Sequence, residues 1–241
     1  MMRIRLRTRP AILFAGLLVV GLVIFLPMRL ALGWAGLGEE GFTARRVTGM
    51  IWDGALHDAM FGDVALGSLE ARVSPFSLLL GRARVTVDGR PAGREDALHG
   101  VLIVSRTRRG VDALSGVLPT GRAFAPLPVT QLALDAVSVT FIDDIFTEAE
   151  GRVSAALGGD VAGVPLPAMV SGNARCDNGA LLLPLASQSG NETITLRVTG
   201  AGTYNAALAL VPSDPAAAAR LTALGFIQSG NGYALSAEGR F

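Results

Sequence analysis

Thr193-Ile194-Thr195-Leu196-Arg197-Val198-Thr199 carries an apolar side chain at every second position. Successive side chains of an extended chain point to opposite faces, so this stretch reads as a strand with one buried and one wetted face. The period returns upstream. Leu69, Ala71 and Val73 alternate with Ser68, Glu70, Arg72 and Ser74, and Ala83, Val85 and Val87 alternate with Arg82, Arg84, Thr86 and Asp88. Strands of parallel sheets are covered on both faces and read as unbroken apolar runs, so clean alternation points to an antiparallel sheet.

Weaker extended stretches fill the intervals: Arg45–Ile51, Ala55–Leu66, Ala97–Arg106, Val111–Leu118, Val129–Ile142, Glu148–Leu157, Ala168–Asp177, Ala180–Leu185, Asn205–Val211 and Tyr233–Phe241. In Val129–Ile142 the apolar phase moves from Leu132 and Leu134 to Val137, Val139 and Phe141. One extra residue near Asp135 or Ala136 accounts for that, so a β-bulge is expected there. Asp88-Gly89, Arg109-Gly110, Gly158-Gly159, Asn178-Gly179 and Gly190-Asn191 read as turns, while Ala92–Asp96 and the proline-containing stretch Pro119–Pro128 read as loops. Two short helices stand out. One follows the cap Asp214-Pro215, runs through an alanine-rich stretch with Leu221 and Leu224 on its apolar edge, and stops at Gly225. The other begins at Ser74 or Pro75, covers Phe76–Leu80 and ends at Gly81.

The first forty residues differ from the rest. Arg3, Arg5, Arg7 and Arg9 precede Pro10 and an uncharged apolar run from Ala11 to Leu26, which Pro27 and Met28 extend. At ~1.5 Å per residue such a run spans a slightly thinned bilayer rather than a tilted path through a thick one. Arg29 is placed to snorkel, and Trp34 to sit at the interface. The basic cluster lies before the run and the acidic pair Glu39-Glu40 after it, so the N-terminus is expected in the cytoplasm. A cleaved signal peptide is the competing reading. Against it stand the length of the run, the charge of Arg29 and the poor cleavage site Ala31-Leu32-Gly33. The expected plan is a cytoplasmic stub at 1–10, a transmembrane helix at 11–28, a periplasmic linker at 29–44 and a periplasmic β-rich domain at 45–241. The fold class is mainly β: one N-terminal membrane helix and a twisted, mostly antiparallel sheet with two short helices.

Composition narrows the chemistry. Half of the 241 residues are hydrophobic and 17% are charged, enough to bury a sizeable core. A net charge of +1 gives no argument for a nucleic-acid partner. Cys176 is the single cysteine, which excludes an internal disulfide and reads most simply as a small strand residue. No GxSxG elbow, P-loop, HExxH or paired CxxC is present. Asp143 and Asp144, with Glu148 and Glu150, form the densest acidic patch, but their spacing lacks the order of an EF-hand loop, and a solvated hairpin around Ile145-Phe146 explains them. His57-Asp58 sits close to Trp52-Asp53, yet neighbouring strand residues face opposite sides. Asn191-Glu192-Thr193 matches a glycosylation sequon, a short motif read here as accidental. No cofactor and no catalytic or metal-binding residue is expected.

Five segments resemble a known family. Gly49-Met50-Ile51-Trp52-Asp53-Gly54 is followed by Leu66-Gly67-Ser68-Leu69, and Ser74-Pro75-Phe76-Ser77-Leu78-Leu79-Leu80-Gly81 leads into the strand Arg82–Asp88. Near the end come Leu224-Gly225-Phe226 and Gly230-Asn231-Gly232-Tyr233-Ala234-Leu235-Ser236-Ala237-Glu238-Gly239. In order and spacing these are similar to protein N of the type II secretion system, also called general secretion pathway protein N. Ala71 departs from the pattern, since many members carry a second tryptophan there. The resemblance covers 11–88 and about 200–241, and marks Gly49, Trp52, Gly54, Pro75, Leu79, Gly81, Gly232 and Tyr233 as motif or interaction residues. It implies a non-enzymatic inner-membrane component that supports export of folded proteins across the outer membrane. The implied partners are other inner-membrane subunits of the apparatus, met through strand edges or the Trp52 region, and the bilayer through the N-terminal helix.

The residues themselves also admit a core role for Trp52, held in a tight turn by Gly49 and Gly54. Two other functions stay open on the sequence: a membrane-anchored lipid carrier whose apolar sheet face lines a groove, and a hydrolase. What covers the apolar face decides the first. A cleft uniting His57, Asp53 and Asp58 decides the second.

Overall fold

The computed structural model describes residues 10–34, 41–90, 97–143, 145–161, 163–212 and 214–240. Arg3, Arg5, Arg7, Arg9, the pair Glu39-Glu40, the expected loop Ala92–Asp96 and Asp144 lie outside the described residues, as do the side chains of Trp34 and Leu79.

The apolar run opens as α1 (Pro10–Ile24), with proline in the first turn, where a missing N–H leaves no bond unmade. It ends well before Leu26, because Pro27 has no N–H to donate and its ring drives the preceding residue out of the helical region. A second helix, α2 (Met28–Trp34), begins directly after it. The single span expected over 11–28 is therefore α1 followed by a break at 25–27, with Met28 already opening α2. No helix among the described residues is long and apolar enough to cross a membrane. The segment 29–44, expected as a linker, contains most of α2 and the first residues of β1 (Phe42–Met50).

The remainder is mainly β, and every strand pairing is antiparallel. β2 (Asp53–Phe61) and β3 (Val64–Val73) follow β1. A short helix, α3 (Pro75–Leu79), then crosses the sheet end to β4 (Ala83–Arg90). β5 (Leu98–Val104), β6 (Arg108–Pro119), β7 (Val129–Ile142) and β8 (Ile145–Leu157) continue in chain order. A separate hairpin of β9 (Asp160–Val161) and β10 (Val164–Pro165) interrupts the series. β11 (Met169–Asn173) then joins β8, and β12 (Arg175–Asp177) lies on β13 (Ala180–Ala186), which also pairs with β11. β14 (Glu192–Val198) and β15 (Thr203–Leu210) follow. α4 (Pro215–Ala223) comes next, and β16 (Ile227–Ser229) and β17 (Gly232–Arg240) end the chain, with β17 on β15 and β16 at the far edge. The two helices foreseen in the body are α3 and α4. α1 and α2 bring the number in the described chain to four.

Register decides which side chains share a face. Leu56 lies opposite Leu69, Leu69 opposite Gly89, and Gly89 opposite Leu98, so one apolar row runs from β2 to β5. It feeds a small core with Met28, Ala59 and Ala71. A larger core lies over the later strands, where Val153, Val170, Leu208 and Leu210 are fully buried. Phe124 and Leu127, from the loop after β6, and Leu221 of α4 cover it.

Several local readings need correction. Asp88-Gly89 and Arg109-Gly110 are not turns but lie inside β4 and β6. A Cβ on Gly89 would stand 2.4 Å from the Leu69 side chain, and one on Gly110 would stand 2.6 Å from the Val139 carbonyl oxygen, so these glycines serve close packing between strands. The stretch Ala55–Leu66 is two strands folded at Gly62-Asp63, and Ala168–Asp177 breaks at Ala174. The bulge foreseen in β7 is present: Ala136 has φ +49° and the register with β8 slips between Asp135 and Ser138.

Candidate functional site

Gly49, Trp52 and Gly54 meet where the helices join the sheet. At Gly49 φ is +85°, and a Cβ there would stand 2.4 Å from the Asp53 carbonyl oxygen, so the hairpin between β1 and β2 closes only with glycine. Its tip carries Ile51 and Trp52. The Trp52 indole Nε1 donates to the carbonyl of Ile24 at 2.9 Å, satisfying one of the last acceptors of α1. The Ile51 N–H donates to the Leu26 carbonyl at 3.1 Å, and the Ile51 carbonyl accepts from the Val73 N–H at 3.0 Å. Pro27 forms an isolated antiparallel bridge with Met50. Met28, buried, lies over Gly54, where a Cβ would collide with its sulfur. Gly54 in turn pairs with the buried Ala71.

The half-buried Trp52 thus pins the helix to the sheet. Sequence reasoning missed Met28, Ile51 and Arg72 here. Pro27 was the available signal, since a proline inside an apolar run marks a break. Arg72 donates to Asp53 at 3.1 Å and to Glu70 at 3.0 Å. Asp53 above all, then Glu70, raises the pKa of its guanidinium, though at an exposed position such pairs stabilise little.

Pro75, Leu79 and Gly81 lie on and just after α3, at the same sheet end as this joint. Val73 is tied to Ile51, and the next residue, Ser74, donates its N–H to the Arg84 carbonyl. Gly232 and Tyr233 start β17 at the opposite end. Gly232 is buried where a Cβ would stand 2.4 Å from the Leu210 carbonyl oxygen, and Tyr233 lies opposite Leu210. The motif residues therefore form two groups on opposite ends of the sheet.

His57 and Asp58 do come together, contrary to the expectation from simple alternation. Asp58 has φ +51°, and the register of β2 with β3 slips between Leu56 and Ala59, so both side chains stay on the exposed face. With Arg45, Arg46 and Ser68 they line a polar depression of about 450 Å³. The ion pair within it joins Arg45 to Asp58 at 3.6 Å. Asp53 belongs to the Arg72 cluster at the hairpin's tip, so His57, Asp53 and Asp58 do not share one cleft.

Cys176 is half-buried on β12. Desolvation, and secondarily the charge of Glu148, pushes its thiol pKa up, the reverse of what activates a nucleophile. Among the described residues no three His, Cys, Asp or Glu side chains converge to hold a metal ion, and Glu148 instead faces Arg108 at 3.6 Å.

The apolar face of the later strands is filled from within. Phe124 meets the Tyr204 ring edge-on at 5.7 Å, and the Tyr204 hydroxyl donates to the Ala123 carbonyl at 2.6 Å. The space left among Phe124, Leu127, Ala155, Leu185 and Leu196 is about 20 Å³. That is scarcely more than one water occupies and holds no acyl chain.

No curated protein and no solved structure matches the chain. Residues 40–236, from just before β1 into β17, match the sequence model of the family described as type II secretion system, protein N. The matched stretch contains the Gly49–Gly54 hairpin, α3 and the start of β17, and the chain belongs to the type II secretion system protein N family.

Proposed function

We propose that this secretion component is held at the bacterial inner membrane by α1, with the β body in the periplasm, and that it acts by contact with other subunits rather than by catalysis. The observation that carries the reading is the state of α1. Its large apolar side chains from Leu13 to Ile24 are 47–73% exposed and point in every direction around the axis. A helix apolar on all sides has hydrocarbon as its natural solvent. Its 15 residues make about 22 Å against a hydrocarbon core of about 30 Å, so it spans only where the bilayer thins around it. The arginines before it favour a cytoplasmic N-terminus.

The partner surface follows from the sheet. β1 is an edge strand, bridged only at Met50 among the described residues, and its remaining outer edge offers N–H and C=O groups to an incoming strand. The opposite edge, β16, has three residues and offers much less. Trp52 is already engaged by Ile24.

Complementation tests the reading. A strain lacking the chain is expected to retain folded exoproteins in the periplasm, and the intact chain to restore their release. A chain carrying Leu17→Arg and Leu18→Arg is expected not to. Normal release from the deletion strain overturns the assignment, and full rescue by the double variant overturns the anchor.

A further inference from the structure

The end of the sheet nearest α1 is unusually apolar for a protein surface. Phe76 and Leu80, on and just after α3, are 78% and 71% exposed, and Val104, at the end of β5, is 44% exposed. Val104 lies opposite Ala83, the first residue of β4, two positions after Gly81, so the three belong to one rim. Exposed arginines flank it at Arg82 and Arg106. The rim is tied to the exit of α1 through backbone bonds already described: Leu26 to Ile51, Ile51 to Val73, and Ser74 to Arg84. With strands about 4.8 Å apart, α3 stands roughly 10–15 Å to the side of the point where α1 leaves the sheet.

We propose that this rim is a second membrane contact, in which Phe76, Leu80 and Val104 enter the interfacial layer of the bilayer that receives α1. The proposal rests on α1 being the anchor. Two observations select lipid as the occupant. First, α1 falls about 8 Å short of a hydrocarbon core, and apolar surfaces at an interface settle about 5–10 Å into the headgroup boundary, so sinking the rim supplies the missing depth. Secondly, apolar side chains bordered by guanidinium groups match the layered chemistry of acyl chain and phosphate. Ile142 and Ile145, at the β7–β8 turn of the same sheet end, are also exposed, and the general twist of sheets, about 20–25° between neighbouring strands, is expected to confine the contact to the α3 side.

Depth-dependent fluorescence quenching decides the matter on the full chain in phosphatidylethanolamine–phosphatidylglycerol nanodiscs. In a Cys176→Ser background, single cysteines replace Leu18, Phe76, Leu80 or Ile227 and carry an environment-sensitive dye. Ile227 is the control, since it is 74% exposed but pairs with Ala234 near the opposite sheet end. Labels at 76 and 80 are expected to be quenched several-fold more than the label at 227 by nitroxide-bearing lipids, and less by aqueous iodide. If label 18 is lipid-quenched while labels 76 and 80 behave like 227, the anchor stands and the rim contact is overturned. If label 18 is iodide-accessible, the anchor reading fails. Shielding of 76 and 80 from iodide without lipid quenching marks a protein occupant and overturns the proposal.

Discussion

Gly49 and Gly54 flank the same hairpin, but they answer to different constraints, and substitution separates them. Gly49→Ala places a Cβ on a residue at φ +85° and against the backbone oxygen of Asp53, which has little freedom to move. The expected cost is about 2 kcal/mol or more. Gly54→Ala meets the end of the flexible Met28 side chain first and is expected to cost less, a ranking that urea unfolding of the two variants checks. Trp52→Phe keeps most of the apolar body and loses the bond to Ile24, for an expected loss of about 1 kcal/mol and faster proteolysis at Phe25–Pro27. Cys176 gives a prediction in pH. Raising a thiol's pKa lowers its thiolate fraction at any pH below it, so alkylation in the folded chain should lag behind that in the unfolded chain at pH 8, with the rate profile displaced upward. Equal rates would remove the argument that Cys176 is shielded. Sequence showed that glycines around a tryptophan make a tight turn. It did not show that the indole reaches back 28 positions to Ile24, because no local pattern encodes that partner.

Elements with strong punctuation were legible, and those shaped by neighbours were not. Asp214 accepts a hydrogen bond from the Ala216 N–H at 2.9 Å and Pro215 follows it, so α4 lies where its cap and proline place it. Asp214→Ala is expected to cost about 1 kcal/mol, and Leu221→Ala, which empties a fully buried site, about 2–5 kcal/mol, both read from thermal unfolding. The bulge in β7 was visible because the apolar phase moves within one strand. Its counterpart in β6, at Ala113 with φ +51°, was hidden, because the signal there is the Ser138 hydroxyl of the next strand accepting from the Ala113 N–H. Gly89 and Gly110 mislead for the same reason, since glycine in a turn and glycine pressed against a neighbouring strand look alike in one dimension. The apolar run from Ala11 to Met28 looks continuous in sequence because hydropathy does not tell an exposed apolar residue from a core-facing one, and Met28 is the second kind.

At the scale of the whole molecule the two cores are unequal. Six buried residues hold the first strands to α2, whereas the later strands share a far more extensive cluster closed by Phe124, Phe226 and Leu221. Local opening follows buried apolar area, so amides of β1–β3 are expected to exchange with deuterium faster than those of β13–β15, as mass-resolved exchange would record. Uniform protection would mean that the sheet opens as one unit. The order of the strands carries a last consequence. From β1 to β8 each strand bonds to the one synthesised just before it, so none of these ladders waits for a distant part of the chain. A chain that is released with its N-terminal strands first can zip up strand by strand, shielding each fresh edge within moments of its appearance. The Tyr204–Ala123 bond, across 81 positions, must wait for the second half to arrive and latch the loop in place.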